Sequence, residues 1–161
     1  MIRLRAEGLL EPLAGVYEPQ GLDRIKAGWS DPTLPPRWVG LGAWLTTFCV
    51  DPGNLLDASG NPLPVPRSWA DLGNPVYEGR IAMPGPYASG TGAMVVSSLI
   101  QMSQFGEPDA WAYMDRLHEN VAHYTRAGDE PCKLVADGRI GVGIGANICA
   151  CLLYTSPSPR D

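Results

Sequence analysis

A loop rich in proline and glycine, set between two apolar runs, constrains the fold of this chain more than any other feature. The loop covers residues 84–92 and reads PGPYASGTG, with a short apolar run at 81–83 before it and a long one at 93–102 after it. The short run suits a buried strand and the long run suits a helix, because strands need few residues and helices need several turns. The predicted order of strand, loop and helix is typical of a layered α/β domain.

The start of the predicted helix is a candidate site for an anion. Ser89 is the predicted N-cap, since its hydroxyl can accept a hydrogen bond from an amide of the first turn. Gly90 and Gly92 carry no side chain that would cover the nearby backbone. Exposed amides at the positive end of a helix bind phosphate, phosphonate, sulfate or carboxylate groups. The alternative for this stretch alone is an ordinary capped helix whose glycines only allow close packing.

The composition fits one ordinary core built from short elements. The 161 residues include 16 prolines and 19 glycines, which interrupt helices and strands and favour turns. A net charge of −5 and a pI near 4.9, without a basic stripe, argue against nucleic acid as a partner. The sequence contains no apolar window long enough to cross a bilayer.

The first eight residues predict the end of an amphipathic helix that stops at Gly8. They do not have the charged start and apolar core of a signal peptide. Because the chain begins inside a predicted helix, we expect it to be a fragment of a longer protein.

Breaks at proline and glycine divide the rest of the chain into short elements. Residues 9–38 are rich in loops, with one or two helical turns at 22–27. The run 38–50 predicts one long strand, or two strands bent at Gly42. The alternation of strands and helices along the chain predicts an α/β fold. The later elements are short helices at 68–72 and from 107, a strand at 121–125, a helix from Asp129 or Glu130 to Gly138, and a last strand at 139–144.

Two of the predicted helices carry more specific signals. Ser68 and Asp71 have the spacing of a capping box, with Asp where Glu or Gln is usual. The helix that starts near residue 107 has proline and acids in its first turn. Its predicted apolar stripe consists of Trp111, Met114, Leu117 or His118, and Val121.

The cysteines give little evidence for a metal site. Cys149 and Cys151 form a Cys-x-Cys pair without a second pair at a ligand-like spacing. Buried thiols are the simplest interpretation of Cys49 and Cys132. A disulfide between these two stays open, because sequence does not supply the geometry that a disulfide needs.

Other motifs that suggest chemistry are incomplete. His118 and His123 resemble a zinc motif but are five residues apart, which places them on different faces of a helix, so surface histidines are predicted. The glycines at 141, 143 and 145 have the wrong spacing for a dinucleotide loop and predict close packing of a strand. The sequence shows no nucleophile elbow, P-loop lysine or spaced carboxylate pair, so no catalytic residue and no cofactor are predicted.

Several short segments occur in one order along the chain. They are RLRAEGLLEP at 3–12, WVGL at 38–41, PRSWADL at 66–72, YEGRIAMP at 77–84, SGT at 89–91 and CKLVADG at 132–138. Together they resemble the type 2 periplasmic solute-binding proteins of ABC importers, in the branch that includes binders of ferric iron and 2-aminoethylphosphonate. The resemblance covers residues 1 to about 145.

The resemblance implies a periplasmic-binding-protein-like type 2 fold, mostly the second lobe with part of the first. Residues 1–46 would be a partial first lobe and a crossing strand, and residues 47–145 the second ligand-binding lobe. Residues 146–161 would be a truncated end, within which 151–161 looks like the translation of a sequencing adapter. The location implied is periplasmic or extracellular, although no signal peptide is present in this fragment.

The resemblance also implies which residues face the ligand. Ser89, Gly90 and Thr91 match the anion site at a helix start of the family. Tyr124 and Thr125 match a second segment of the cleft. A further residue, Trp44, would lie at the hinge near the cleft, with a buried packing role as the alternative.

One departure from the family pattern affects the second cleft segment. Relatives often continue with Ser-Gly-Ser where this chain has Ala127-Gly128-Asp129. The change removes two hydroxyl donors and adds a carboxylate. Near a phosphonate Asp129 would repel the ligand, unless it meets the amine of the ligand or faces away as a helix cap.

The function implied is that of an extracytoplasmic, non-enzymatic binding component that delivers a solute to an ABC transporter permease at the membrane surface. The solute would be small and anionic or zwitterionic, such as 2-aminoethylphosphonate or chelated ferric iron. In ferric binders a tyrosine pair lies after the return crossing, beyond the matched residues. The alternative is an α/β transferase or hydrolase that acts on a phosphate-bearing substrate.

Overall fold

The computed structural model describes residues 2–13, 28–33, 35–40, 42–102 and 110–147. The chain divides into two compact units, residues 1–43 and residues 44–161. Four predictions lie outside the described residues: the helical turns at 22–27, the helix start at 107–109, the Cys149–Cys151 pair and the adapter-like segment 151–161.

The first unit begins with helix α1, Ile2–Ala6, which ends as predicted before Gly8 in the left-handed region at φ 69°. Its buried polar group is the carboxylate of Asp31, which accepts hydrogen bonds from the amides of Thr33 and Arg37, both at 3.2 Å. Burial raises the pKa of Asp31, but these bonds and the Arg5 guanidinium at 3.5 Å outweigh burial and hold the pKa below its usual value.

The second unit contains a four-stranded mixed sheet with the strand order β1-β4-β2-β3. Strand β2 is parallel to both β3 and β4, whereas β1 is antiparallel to β4. The predicted α/β class is therefore confirmed. The strands are β1 Thr46–Val50, β2 Ile81–Pro84, β3 Val121–Thr125 and β4 Val142–Ala146; the helices are α2 Gly90–Gln101, α3 Ala110–Asn120 and α4 Glu130–Ala136, with short 3₁₀ helices at Ala70–Gly73 and Pro75–Tyr77.

The long strand predicted over 38–50 is wrong in its first part. Only Thr46–Val50 joins the sheet, while Val39 forms an isolated bridge with Ser30. The amide of Gly40 bonds to the carbonyl of Trp29 at 2.7 Å, so this stretch pairs locally within the first unit. Glycine favours such a break because it weakens a strand interior.

The sheet separates two apolar layers, because successive strand residues point to opposite faces. Ile81 and Met83 of β2 belong to the main core, whereas Ala82 between them packs with Val135 of α4. Helices α2 and α3 contribute to the main core, so they lie on one face and α4 lies on the other. The buried members of the main core are Leu55, Leu72, Tyr77, Ile81, Met83, Val95, Leu99, Tyr113, Leu117, Val142 and Ile144.

The apolar stripe predicted for α3 is partly wrong. The buried residues of this helix are Tyr113, Leu117 and Asn120, while Trp111 is 61% exposed. Two polar groups decide the orientation: the Tyr113 hydroxyl donates to the carbonyl of Trp69, and the Asn120 side chain donates to two carbonyls near the 3₁₀ helices, at 2.7 and 2.8 Å. Buried polar groups need such partners, so the helix turns this polar edge inward.

The capping box at Ser68 and Asp71 is confirmed, although the helix that follows is 3₁₀ and starts at Ala70. The Asp71 carboxylate accepts from the amides of Arg67 and Ser68 at 2.8 and 2.9 Å, and the Ser68 hydroxyl accepts from the Asp71 amide at 3.3 Å. The bond from the Arg67 amide, followed by the bonds with Ser68, lowers the pKa of Asp71.

The prediction that the glycines of the last strand allow close packing is confirmed. A Cβ atom on Gly143 would lie 2.7 Å from the carbonyl oxygen of Pro131, and one on Gly141 would lie 2.8 Å from the Leu55 side chain. The strand itself starts later than predicted, at Val142.

This topology brings two helix starts to one edge of the sheet. The parallel strands β2, β3 and β4 have their carboxyl ends at the same edge, with α2 directly after β2 and α4 directly after β3. Because α2 and α4 lie on opposite faces, their first turns flank this edge from two sides. In open α/β sheets this is where ligands bind.

Candidate anion-binding site

The start of α2 is set by a short ladder of backbone hydrogen bonds. The Gly85 amide donates to the Thr125 carbonyl at 2.8 Å, and the Ser89 amide donates to the Gly85 carbonyl at 2.9 Å. Ser89 is extended, at φ −133° and ψ 130°, and its carbonyl accepts from the Ala93 amide at 3.0 Å. Ser89 therefore occupies the predicted N-cap position. Its hydroxyl makes no capping bond, so that part of the prediction is wrong.

The amides of Gly90 and Thr91 lie between these two bonds. Within residues 42–102 and 110–147 no acceptor is bonded to either amide. A Cβ atom on Gly90 would meet nothing within 4 Å, so the helix start faces open space there. The first turn of the 12-residue helix contains no acidic residue. The positive end of α2 is therefore uncompensated by the helix itself.

Gly92 has a different role from Gly90. It is buried, and a Cβ atom added to it would lie 2.8 Å from the carbonyl carbon of Gly85. Glycine is required here because the helix touches the end of β2 backbone to backbone. The sequence prediction that both glycines uncover the backbone is thus wrong for Gly92, where the packing alternative holds.

The second cleft segment predicted from the sequence meets the first one at Thr91. Gly128, in the loop between β3 and α4, lies so close that an added Cβ would stand 2.8 Å from the Cβ of Thr91. Thr125 is also part of this arrangement, since its carbonyl holds the Gly85 amide. Its hydroxyl donates to the Ala127 carbonyl at 3.0 Å, within its own loop.

The start of α4 supplies its own anion. The carboxylate of Glu130 accepts hydrogen bonds from the amides of Arg126 and Ala127, at 2.9 and 3.1 Å. Of the two caps predicted for this helix, Asp129 occupies the N-cap position, although its side chain makes no capping bond, and Glu130 is the first helical residue. The two loop amides are therefore occupied by the chain itself.

Asp129, the carboxylate that departs from the family pattern in the second cleft segment, forms an ion pair. Asp129 lies 2.6 Å from the ammonium group of Lys133, one turn further along α4. The hydrogen bond from Lys133, reinforced by its charge, lowers the pKa of Asp129 despite partial burial. Asp129 is thus an ionised group with its own cation.

Trp44 lies beside Thr91. The two side chains line a cavity of about 230 Å³, together with Met94 of α2 and Ala146 of β4. The indole is 62% exposed, so the buried packing role left open by the sequence does not apply.

The side chain of Tyr124 lies against His118 of α3. Its hydroxyl lies 2.7 Å from Nδ1 of His118, and it lines a cavity of about 300 Å³ between α2 and α3, together with Tyr87 and Trp111. Burial raises the pKa of Tyr124. Thr91 therefore adjoins both Trp44 and Gly128, whereas Tyr124 lines other cavities, one of them together with Thr125 and Glu130.

The predicted surface histidines are exposed, both His118 and His123. Across the described part of the chain, no group of three histidine, cysteine, aspartate or glutamate residues is arranged to hold a metal ion. Among the helices that the structure describes, none has the length and apolar character needed to span a membrane.

Comparison with known proteins decides the family. A model of the bacterial extracellular solute-binding proteins matches residues 1–151. The chain belongs to this family. The extracytoplasmic location predicted from the sequence is thereby confirmed, and proteins of this solute-binding family bind substrates.

Relatives of the family agree in sequence and structure. The Fe(3+)-binding periplasmic protein of Serratia marcescens is 31% identical over 129 residues, which is 76% of this chain and 34% of that protein. AfuA of Actinobacillus pleuropneumoniae, solved with exogenous fructose-6-phosphate bound, is 28% identical with a TM-score of 0.70, over 97% of this chain and 47% of AfuA. Iron-bound HitA of Pseudomonas aeruginosa, at 21% identity, shares the fold with a TM-score of 0.64, over 95% of this chain and 45% of HitA.

These matches confirm the predicted type 2 fold of periplasmic binding proteins. The chain spans about a third of the Serratia relative and about half of the two solved structures.

Two residues of the site were not predicted as such from the sequence. Gly85 links the two loops through its amide, and only the Pro-Gly-Pro sequence around it hinted at a tight turn. Glu130 was considered only as a cap of α4. Its position three residues after Ala127 is the spacing of a capping box, which is the signal that could have located the occupied amides.

Proposed function

We propose that this chain forms part of the binding component of an ABC importer and holds the anionic group of a small solute at the start of α2. The observation that carries the proposal is the pair of open amides at Gly90 and Thr91, at a helix end without a neighbouring acid. Such amides bind anions directly and through the helix dipole. The Thr91 hydroxyl and the exposed indole of Trp44 adjoin them and complete the pocket wall.

We propose the lobe assignment of the sequence unchanged, with residues 1–46 in the first lobe and crossing strand and residues 47–145 in the second lobe. The division of the chain into two compact units between residues 43 and 44 supports it. The candidate anion site then belongs to the second lobe.

A phosphate-bearing solute is the ligand class that the site supports best. One open helix end suits one anionic group, because Glu130 takes the two loop amides before α4 and Pro131 removes a donor from the first turn of that helix. The relative AfuA was solved with fructose-6-phosphate, which is a phosphate ester. Ferric iron held by an anionic chelator is the second candidate, favoured by the Serratia relative that is named for Fe(3+).

An aminophosphonate has less support than a phosphate ester. The sequence offered Asp129 as a partner for the amine of such a ligand. Lys133 already pairs with that carboxylate at 2.6 Å. The proposal therefore keeps 2-aminoethylphosphonate as one ligand to be tested, without preference.

The proposed role is binding and delivery to a permease, without chemistry on the solute. The two acidic side chains of the nearby loop support this, because each is engaged: Asp129 by Lys133 and Glu130 by two amides. A general base has to reach the proton that it removes. Neither carboxylate is available for that task in this arrangement.

The test compares two substitutions at Gly90 in a complete two-lobed protein that carries this sequence. Gly90→Pro removes one amide donor at the first helical position, where proline is favoured, and the extended Ser89 before it is compatible with proline. Gly90→Ala keeps the amide and adds a Cβ into open space. One hydrogen bond to a charged group contributes roughly 1.5–3 kcal/mol.

We expect Gly90→Pro to weaken binding of the best ligand about 10- to 100-fold and Gly90→Ala to change it by less than about 3-fold. Calorimetric titrations with fructose-6-phosphate, 2-aminoethylphosphonate and ferric citrate measure both. If both variants bind like the parent, the anion is held elsewhere and the α2 start is only a helix end.

A further inference from the structure

A cysteine on the sheet contacts a cysteine on the helix that covers the sheet. The sulfur of Cys49, on β1, lies 3.1 Å from the sulfur of Cys132, on α4, although 83 residues separate them along the chain. Both are thiols in this structure. The contact joins the first strand of the second unit to the helix that follows the 126–129 loop.

The surroundings show that the pair is isolated from other ligand groups. Cys132 is buried, at 4% exposed, and Cys49 is partly exposed beside the small core of Ala82, Val135 and Ile140. The Cys49 thiol also donates to the Gly143 carbonyl at 3.3 Å. Across the described residues, no third histidine, cysteine or acidic side chain joins the two sulfurs in a group that could hold a metal ion.

We propose that Cys49 and Cys132 are oxidised to a disulfide that fastens α4 to β1. The inference rests on the extracytoplasmic location of the family, because disulfides persist outside the cytoplasm and thiols are kept reduced within it. It does not depend on which ligand the protein binds. Oxidation requires the two sulfurs, now 3.1 Å apart, to move only about 1 Å closer.

The reaction is a thiol–disulfide exchange with an oxidising protein of the cell envelope that carries a reactive disulfide. The Cys49 thiolate attacks one sulfur of the oxidant's disulfide, and the other sulfur leaves as a thiolate. The Cys132 thiolate then attacks the Cys49 sulfur of the mixed disulfide and releases the oxidant as a dithiol. Two protons and two electrons leave the protein, and the oxidant takes up both electrons.

Cys49 is the better first nucleophile of the two. It is the more exposed sulfur, so the oxidant can reach it. The hydrogen bond with Cys132 lowers the pKa of Cys49 and outweighs burial, which raises it. A lower pKa gives more thiolate, which is the species that attacks.

The disulfide would stabilise the second unit and steady one side of the candidate site. Cys132 is in the first turn of α4, directly after the loop that contacts Thr91. A cross-link that closes a long loop lowers the entropy of the unfolded chain. For a unit of this size we expect the thermal midpoint to rise by roughly 10 °C on oxidation.

The test uses the full chain with Cys149→Ser and Cys151→Ser, so that only the proposed pair can react. After exposure to oxidised glutathione under native conditions, the chain is denatured and alkylated without reductant. We expect both cysteines to escape alkylation, the intact mass to fall by two hydrogen atoms and the midpoint to drop by roughly 10 °C when dithiothreitol is added.

The matched controls are Cys49→Ser, Cys132→Ser and the variant with both changes. Each is expected to lack the dithiothreitol-dependent shift, and the single variants are expected to take up one alkyl group. The proposal is overturned if the folded parent, confirmed by circular dichroism, still carries two alkylatable thiols after oxidation. It is also overturned if, with the natural Cys149 and Cys151 restored, peptide mapping finds Cys49 or Cys132 joined to one of them instead.

Discussion

The starts of α2 and α4 flank the same edge of the sheet, yet they use their backbone amides in opposite ways. At α2 the amides of Gly90 and Thr91 are open, and the first turn carries no acid. At α4 the amides of Arg126 and Ala127 are bound by the carboxylate of Glu130. The acidic side chain in the first turn of α4 thus occupies the donors of the loop before that helix, whereas the first turn of α2 has no such side chain.

From this comparison we predict that the α4 start serves the stability of the fold and that the α2 start serves the proposed ligand binding. The α4 start is a closed turn that stabilises the fold, whereas the α2 start is held by bonds on either side and leaves its own donors exposed. Substitutions in the two places should therefore affect different quantities, which the following experiments separate.

The largest effect is expected at Gly92, which tests whether α2 is docked as tightly as the contacts indicate. Gly92→Ala should lower the free energy of unfolding by about 3 kcal/mol, because the new Cβ meets the backbone of Gly85. Gly90→Ala is the matched control and should stay within about 0.5 kcal/mol of the parent. Urea unfolding measures both. Equal stability of the two variants would contradict the close docking of α2.

A smaller effect is expected at Glu130, which tests directly whether the two helix starts have separate roles. Glu130→Ala should cost about 1 kcal/mol of stability, since two loop amides lose their acceptor. Ligand affinity should change by less than about 3-fold, because the α2 amides are untouched. Urea unfolding and calorimetry on the same sample check the two parts. A loss of binding that exceeds the loss of stability would show that the two helix starts act together.

A weaker effect, dependent on pH, is expected from the Asp129–Lys133 pair. The pKa of Asp129 is lowered in the folded protein, so its contribution is present above the pKa of the unfolded chain, near 4, and is lost as pH falls through the folded pKa. Because the pair is largely exposed, the contribution is only about 0.3 kcal/mol. Lys133→Met should reduce the difference in unfolding free energy between pH 7 and pH 3 by about 0.3 kcal/mol. Chemical unfolding at the two pH values measures it, and an unchanged slope would contradict the pairing.

The smallest effect is expected at Ser89. An N-cap serine that bonds to the first turn usually contributes about 1 kcal/mol. Ser89 makes no such bond, so Ser89→Ala should change stability by less than about 0.3 kcal/mol. A loss near 1 kcal/mol in urea unfolding would mean that the hydroxyl caps α2 in solution.

The elements around the anion site were predictable because local signals define them. The apolar run at 81–83 and the helix from Gly90 both match the structure, and so does the helix from Glu130 with Gly138 at its end. In each case a cap, a proline or a glycine marks the boundary, and these residues act within one turn of the chain. Contacts of such short range can be read from sequence.

The errors arise where a distant partner decides. The orientation of α3 depends on Asn120, which reaches carbonyls 46 and 48 residues away along the chain. A hydropathy pattern treats that asparagine as a surface residue. The hydroxyl of Tyr124 contacts His118, only six residues away along the chain, and the role of Tyr124 in the cleft stays a prediction.

The site itself was predictable only in part, for the same reason. The motif around Ser89 predicted the helix start at Gly90, but the different roles of Gly90 and Gly92 depend on what lies opposite each of them. That information is a property of the packed backbone of Pro84 and Gly85.

The contact between Gly128 and Thr91 has a consequence for redesign of the ligand preference. Because the two residues share one small volume, the side-chain sizes at these positions are coupled, and neither can be enlarged alone. A library that varies position 91 against a fixed Gly128 would sample only residues of the size of threonine or smaller. Paired libraries, in which a larger residue at 128 is combined with glycine or alanine at 91, would move the wall of the pocket from α2 to the opposite loop.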